Sequence, residues 1–222
     1  MIIGILGGTG SEGSGLAFRW ALKGHDVIVG SRSAERGQAA AAELNRLLAG
    51  RGMVRGGGNQ EAARAAPVVV LTVPYAAQTA AAEEVRNLLP GKILVDVTAP
   101  LVPPRIECVQ LPNGESAVVA LQRRLGSGVR VVSAFQNVSA RHLKDPDYEI
   151  DCDVLVCSDD NAAREMVVGL ARDAGLRAWH AGPLANSVAV EALTSVLIAI
   201  NKGYKVSASG IRITGVPDAD KK

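Results

Sequence analysis

The chain has 222 residues, 48% hydrophobic and 21% charged, enough to bury a substantial core and to exclude a disordered class. A net charge of +2 offers no bulk attraction to nucleic acid or an acidic membrane surface, and 3% aromatic residues leave few platforms for stacking bases. Three cysteines and three histidines without metal-ligand spacing argue against a disulfide framework and a metal site.

Met1 leads straight into an apolar run, and the apolar stretch 67–82 is broken by Pro74, so a soluble cytoplasmic protein is expected. The run Ile2-Ile3-Gly4-Ile5-Leu6 reads as a strand and breaks into Gly7-Gly8-Thr9-Gly10-Ser11-Glu12-Gly13. Gly8-x-Gly10-x-x-Gly13 between a strand and a helix is the dinucleotide-binding spacing. Gly8 is expected to allow the tight turn, Gly10 to let the backbone approach a pyrophosphate, and Gly13 to let helix pack on strand. Free N–H groups at the helix start would face the anion.

In the helix that follows, Leu16, Ala17, Trp20 and Ala21 share a face, and Gly24-His25 closes it. The second strand ends in Gly30-Ser31-Arg32 without the carboxylate that holds an NAD ribose. A hydroxyl, the Arg32 fork and Arg36 one turn on would instead hold the 2′-phosphate of NADP(H). Ser33 is placed to cap a helix reaching about Ala49, and the glycine-rich stretch 50–58 reads as a short strand between loops.

Residues 67–72 form a continuous β-branched run, as in a parallel strand buried on both faces, ending in Thr72-Val73-Pro74-Tyr75 at the ligand edge. A helix over 76–89 carries Ala77, Ala81, Val85 and Leu89 at fourfold spacing. A strand over 92–96 follows, with Asp96 as a strand-end residue bonding nearby backbone. Prolines 100, 103 and 104 fix a loop before a helix over 116–125, whose Arg123 and Arg124 suit its dipole.

Residues 129–133 form a sixth strand, from which Ala134-Phe135-Gln136-Asn137-Val138 leaves towards the active face. Residues 141–151 read as loop and 152–157 as a strand in which Cys152 and Cys157 are filler. Asp159 or Asp160 caps a helix with an apolar stripe at Ala163, Met166, Val167, Leu170 and Ala174. A last strand spans 177–181. The helix 184–201 is apolar almost all round, ended by Gly203, and implies burial against the body or a partner subunit; the charged tail 218–222 is expected to fray.

These elements make an α/β fold: a doubly wound, mostly parallel Rossmann-type sheet with a small C-terminal helical part. With Leu71-Thr72-Val73-Pro74 and Ser133-Ala134-Phe135 added to the opening turn, the chain resembles the NADPH-dependent reductases of coenzyme F420, a deazaflavin. Leu6-Gly7-Gly8-Thr9-Gly10, Gly24-His25, Val29-Gly30-Ser31-Arg32 and Gly182-Pro183-Leu184-Ala185-Asn186-Ser187 carry the likeness, which spans residues 1 to about 201.

The resemblance implies an NADP-binding domain over 1–140 and a smaller part over 141–222 closing a deazaflavin crevice. It implies cofactor contacts at Thr9, Ser11 and Glu12 on the turn, at Ser31, Arg32 and Arg36 on the 2′-phosphate, and at Val73 and Ala140 near the nicotinamide. Thr72, Pro74, Ala134, Gln136 and Asn137 complete the strand-end set. Gln136 and Tyr75 stand where archaeal members are expected to have His and Trp. Hydride would pass directly from nicotinamide to deazaflavin, with no catalytic side chain and no metal.

Lys202, Lys205, Arg212 and Arg141 are candidates for the acidic coenzyme tail, and the final helix suggests a homodimer. The rival readings are an NADPH-dependent reductase of a small hydroxyacid or imine, a reductase of flavin or ferric ion, and a non-catalytic NADPH sensor. Residues 184–200 lack the lysine that hydroxyacid enzymes place there.

Overall fold

The computed structural model describes residues 1–216, so the tail expected to fray lies outside the described residues. Six strands form one wholly parallel sheet in the order β3-β2-β1-β4-β5-β6. They are β1 (Ile2–Leu6), β2 (Asp26–Ser31), β3 (Val54–Gly58), β4 (Val68–Leu71), β5 (Ile93–Asp96) and β6 (Arg130–Ser133). The order reverses between β1 and β4, which opens a crevice at the carboxyl ends of those strands.

The sheet is apolar on both faces because successive side chains point opposite ways. Val68 and Val70 of β4 join Ile3, Ile5, Val27 and Val29 beneath helices α1 (Ser11–Leu22) and α2 (Ala34–Leu48). Val69 and Leu71 join Leu6, Ile28 and Leu94 on the other face. Covering that face are α3 (Asn59–Ala65), α4 (Tyr75–Glu84) and α5 (Ala117–Leu125).

After β6 the chain forms β7 (Asp153–Val156), α6 (Asn161–Asp173), β8 (Arg177–His180) and α7 (Ser187–Tyr204). Strands β7 and β8 pair in parallel as a separate two-stranded sheet, joined to the main body by an antiparallel bridge of Ser133 with Cys157. Trp20 of α1 donates its indole N–H to Leu170 O of α6 at 2.8 Å and meets Phe135 edge-on, ring centroids 6.0 Å apart. Arg19 donates to the carbonyls of Leu143, His142, Asp145 and Tyr148, which fixes the connection between the two sheets.

Several local expectations need correction. The helix expected over 76–89 stops at Glu84 and continues as a 3₁₀ turn, Arg86–Leu88, yet Val85 and Leu89 stay buried on the same side. The break falls at Val85, whose backbone (φ −113°, ψ 7°) leaves the helical region. Helix α3 was not anticipated. Met166 is 40% exposed, so the apolar stripe narrows to Ala163, Val167, Leu170 and Ala174. Arg123 and Arg124 pair with Glu115 and Glu83 as well as suiting the helix end.

Helix α7 runs past Gly203 to Tyr204 and is capped by Lys205 in the left-handed region. Among the described residues, the segment Leu184–Tyr204, with mean hydropathy 1.5, rather than 67–82, is the one long and apolar enough to cross a membrane by length and composition.

Candidate active site

The β1–α1 turn is shaped by Gly7, not by Gly8 as the spacing suggested. Gly7 has φ +67°, which favours glycine. Its N–H donates to Asn59 Oδ1 at 3.2 Å, and Asn59 in turn donates to Glu84 Oε2 at 3.0 Å. Asn59 and Glu84 therefore brace the turn from α3 and α4, across 52 residues of sequence and beyond the reach of pattern reading.

Gly8 donates its N–H to Gly30 O at 3.0 Å. A Cβ at Gly13 would lie 2.4 Å from Thr72 Oγ1 and 2.7 Å from Gly8 Cα, so helix, turn and β4 meet there as expected. At Gly10 a Cβ would find only Gly7 O, at 3.9 Å, which leaves the backbone open to a ligand.

A cavity of about 290 Å³ opens over this turn. It brings together Thr9, Gly10, Ser31, Arg32, Arg36, Thr72, Val73 and Pro74 of the expected set, with Asn59 and Glu84 in addition. Ser33 caps α2 as expected, its Oγ accepting from Arg36 N. Among the described residues the guanidinium groups of Arg32 and Arg36 have no hydrogen-bond or ion-pair partner. Two uncommitted cations beside the Ser31 hydroxyl suit a phosphate.

A second cavity, of about 330 Å³, shares Gly10, Thr72, Val73 and Pro74 with the first. Ser11, Glu12, Tyr75, Val97, Thr98, Ala99, Leu101, Gln136 and Thr194 also line it. Phe135 is held at φ +73°, a strained conformation for a bulky residue, by complete burial against Trp20. That twist turns Gln136 to the cavity and Asn137 away from it. Gln136 Nε2 donates to Asp96 O and Ser133 Oγ, both at 2.9 Å, while its Oε1 is buried without a partner.

Asn137 donates to Asp153 O at 2.8 Å and is committed to β7, and Ala134 is fully buried. Ala140 starts a 3₁₀ turn and lines neither cavity.

Polar groups behind the second cavity anchor it. Thr194 of α7 donates to Gln136 O at 2.8 Å. Asp96 accepts from Thr98 N at 2.9 Å and Gln78 Nε2 at 2.6 Å, the backbone-bonding role expected of it; burial pushes its carboxyl up to about 6. Glu191 accepts from Ser116 Oγ, Ala117 N and Val118 N at the start of α5, so it is a buried cap supplied by α7. Burial raises its carboxyl despite those bonds.

Glu191 and Thr194, polar positions in a largely apolar helix, are the sequence signal that this face of α7 is bonded to the body. The cations proposed for a coenzyme tail are not gathered here: Lys202 pairs with Glu107 and Arg212 with Asp151. Cys108, Cys152 and Cys157 are free thiols.

The sheet order, the glycine turn and the uncommitted arginines define a dinucleotide-binding oxidoreductase of the NADP type. The family model described as NADP oxidoreductase, coenzyme F420-dependent, matches residues 2–100. The F420-dependent NADP reductase of Methanothermobacter marburgensis is 39% identical over 98% of this chain and 100% of its own length. That of Methanocaldococcus jannaschii is 38% identical over 97% and 99%. A crystal structure from Arthrobacter sp. FB24, provisionally assigned as an F420-dependent NADP reductase, superposes with a TM-score of 0.80 and 27% identity, covering 96% of this chain and 98% of that one. The chain belongs to the F420-dependent NADP oxidoreductase family.

Proposed function

We propose that this chain exchanges hydride between NADP(H) and coenzyme F420 in the cleft formed by the two cavities. The observation that carries the reading is their shared wall: Gly10, Thr72, Val73 and Pro74 border both. A nucleotide in the first cavity thus presents its nicotinamide at the mouth of the second.

The residues present fit both coenzymes. Gly10 leaves the approach that a pyrophosphate needs, and the unpaired Arg32 and Arg36 with Ser31 hold a 2′-phosphate. The buried unpartnered oxygen of Gln136 is an acceptor for a flat ring bearing N–H groups. When bound, the deazaflavin supplies a carbon that accepts hydride directly from nicotinamide.

The chain's own work is to orient and to exclude water. Thr72, Val73 and Pro74 set the nicotinamide edge, and Gln136 and Thr194 set the deazaflavin edge. Val97, Ala99 and Leu101 keep the space between them apolar.

In this reading residues 1–140 are the NADP-binding part and the described residues from 141 on close the crevice. The exposed Val196, Ile200 and Tyr204 of α7 pack on a second copy rather than lipid, because the opposite face of that helix is committed to α5 and Gln136 through Glu191 and Thr194. The protein acts in the cytoplasm on small coenzymes, without nucleic acid or membrane partners.

The test uses NADPH deuterated at nicotinamide C4. Deuterium recovered at C5 of the reduced deazaflavin supports direct transfer between stacked rings, and deuterium lost to water overturns it.

A further inference from the structure

Glu12 follows the glycine turn, but its side chain lines the deazaflavin crevice and not the nucleotide cavity. Its Oε1 is sealed from solvent and has no hydrogen-bond partner among the described residues, and no amide of α1 reaches it. The other polar groups lining this crevice are the Ser11 hydroxyl on α1, the Thr72 hydroxyl after β4, the Tyr75 phenol on α4, the Thr98 hydroxyl after β5, the Gln136 amide after β6 and the Thr194 hydroxyl on α7. The nearby carboxyls of Asp96, bonded to Thr98 N, and Glu191, bonded to Ala117 N, do not line it. None of these is a cation. With Oε1 buried and unbonded, ionisation is disfavoured and the neutral acid is the favoured form, against the pull of the α1 N-terminus on which Glu12 stands. Burial alone pushes the Glu12 carboxyl up to about 8.

An acid kept neutral at physiological pH, in a crevice where hydride moves, has a use that hydride transfer alone leaves unfilled. Reducing a deazaflavin with NADPH consumes one proton: the hydride and its electron pair go to ring C5, and pyrimidine N1 gains H⁺. We propose that Glu12 is the proton donor of this reaction. Its O–H bond breaks with the electron pair remaining on oxygen, the N1–H bond forms, and the resulting carboxylate faces the oxidised, positively charged nicotinamide until it regains a proton from water. In the reverse direction the carboxylate takes the N1 proton. This role rests on the assignment of NADP(H) and F420 as the coenzymes.

Two readouts test it. In the coenzyme-free protein, the carbonyl stretch of a neutral carboxylic acid should persist at pH 7, disappear on titration near pH 8, and be missing from Glu12→Gln. With coenzymes, wild-type kcat for F420 reduction should fall as pH rises through about 8 and the reverse reaction should rise through the same pH.

Glu12→Gln should lose that break and lower kcat on the order of 10²-fold, while Glu12→Asp, which keeps an acid, should retain a break. An infrared titration near the ordinary glutamate value overturns the proposal. So does a Gln variant with the wild-type pH profile. If the Gln variant fails to fold, the wild-type profile decides, since the absence of any break near pH 8 also overturns it. A wild-type protein that never reduces F420 with NADPH at any pH would instead defeat the assignment of the reaction.

Discussion

Replacing Gly13 by alanine tests the junction on which the site is built. The added Cβ would sit 2.4 Å from Thr72 Oγ1 and 2.7 Å from Gly8 Cα. Neither neighbour can retreat freely, because Thr72 Oγ1 donates to Leu6 O at 3.0 Å and the Gly8 N–H is bonded to Gly30 O. Helix α1 must move outward or the turn must deform. Overpacking of this kind costs about 1–3 kcal/mol, and loss of the Thr72 bond adds about 1 kcal/mol. A loss of ~2 kcal/mol lowers Tm by roughly 4–8 °C in a chain of this size. Because the same turn borders the nucleotide cavity, NADP⁺ affinity measured by calorimetry should fall about tenfold. Adding Thr72→Ala, which removes Oγ1, should recover part of the lost Tm in a double-mutant cycle. A Gly13→Ala protein with unchanged Tm and unchanged NADP⁺ affinity would refute the packing argument.

Arg32→Asp removes an unpaired cation and adds a charge that repels phosphate. The Michaelis constant for NADPH should rise on the order of 10²-fold while that for NADH changes little, and equal effects on both would mean that the 2′-phosphate is held elsewhere. The Asp96 carboxyl is raised in the folded state from 3.8 to about 6, so folding holds its proton more tightly. Its stabilising contribution is present below about pH 4 and is lost as pH rises through 6. Denaturant unfolding should show Asp96→Asn missing up to about 3 kcal/mol of this pH-dependent loss, and parallel wild-type and variant curves would contradict it. The exposed apolar face of α7 predicts a dimer in sedimentation, dissociated by Val196→Glu with Ile200→Glu; a monomeric wild type would reject that interface.

Strands β4, β5 and β6 were legible because burial on both faces demands unbroken β-branched runs, and the glycine spacing marked the nucleotide turn. Ser33 capping α2 could be read locally for the same reason: the bond spans only three residues. What escaped depends on contacts distant in sequence. Helix α3 is seven residues long and rich in alanine, with too few turns to show a stripe. Its function lies in Asn59, whose bonds reach Gly7 and Glu84. The left-handed Phe135 carries no local signal, since it is imposed by the ring's burial against Trp20. Glu12 read as a turn residue, because its environment is completed only by Gln136 and Thr194 far along the chain.

The most direct measurement mixes the protein with NADPH and oxidised F420 and follows loss of the deazaflavin absorbance, with NADH in parallel. The account predicts rapid bleaching with NADPH and far slower bleaching with NADH. No bleaching with either nucleotide, together with turnover of a keto acid or a flavin, would contradict it.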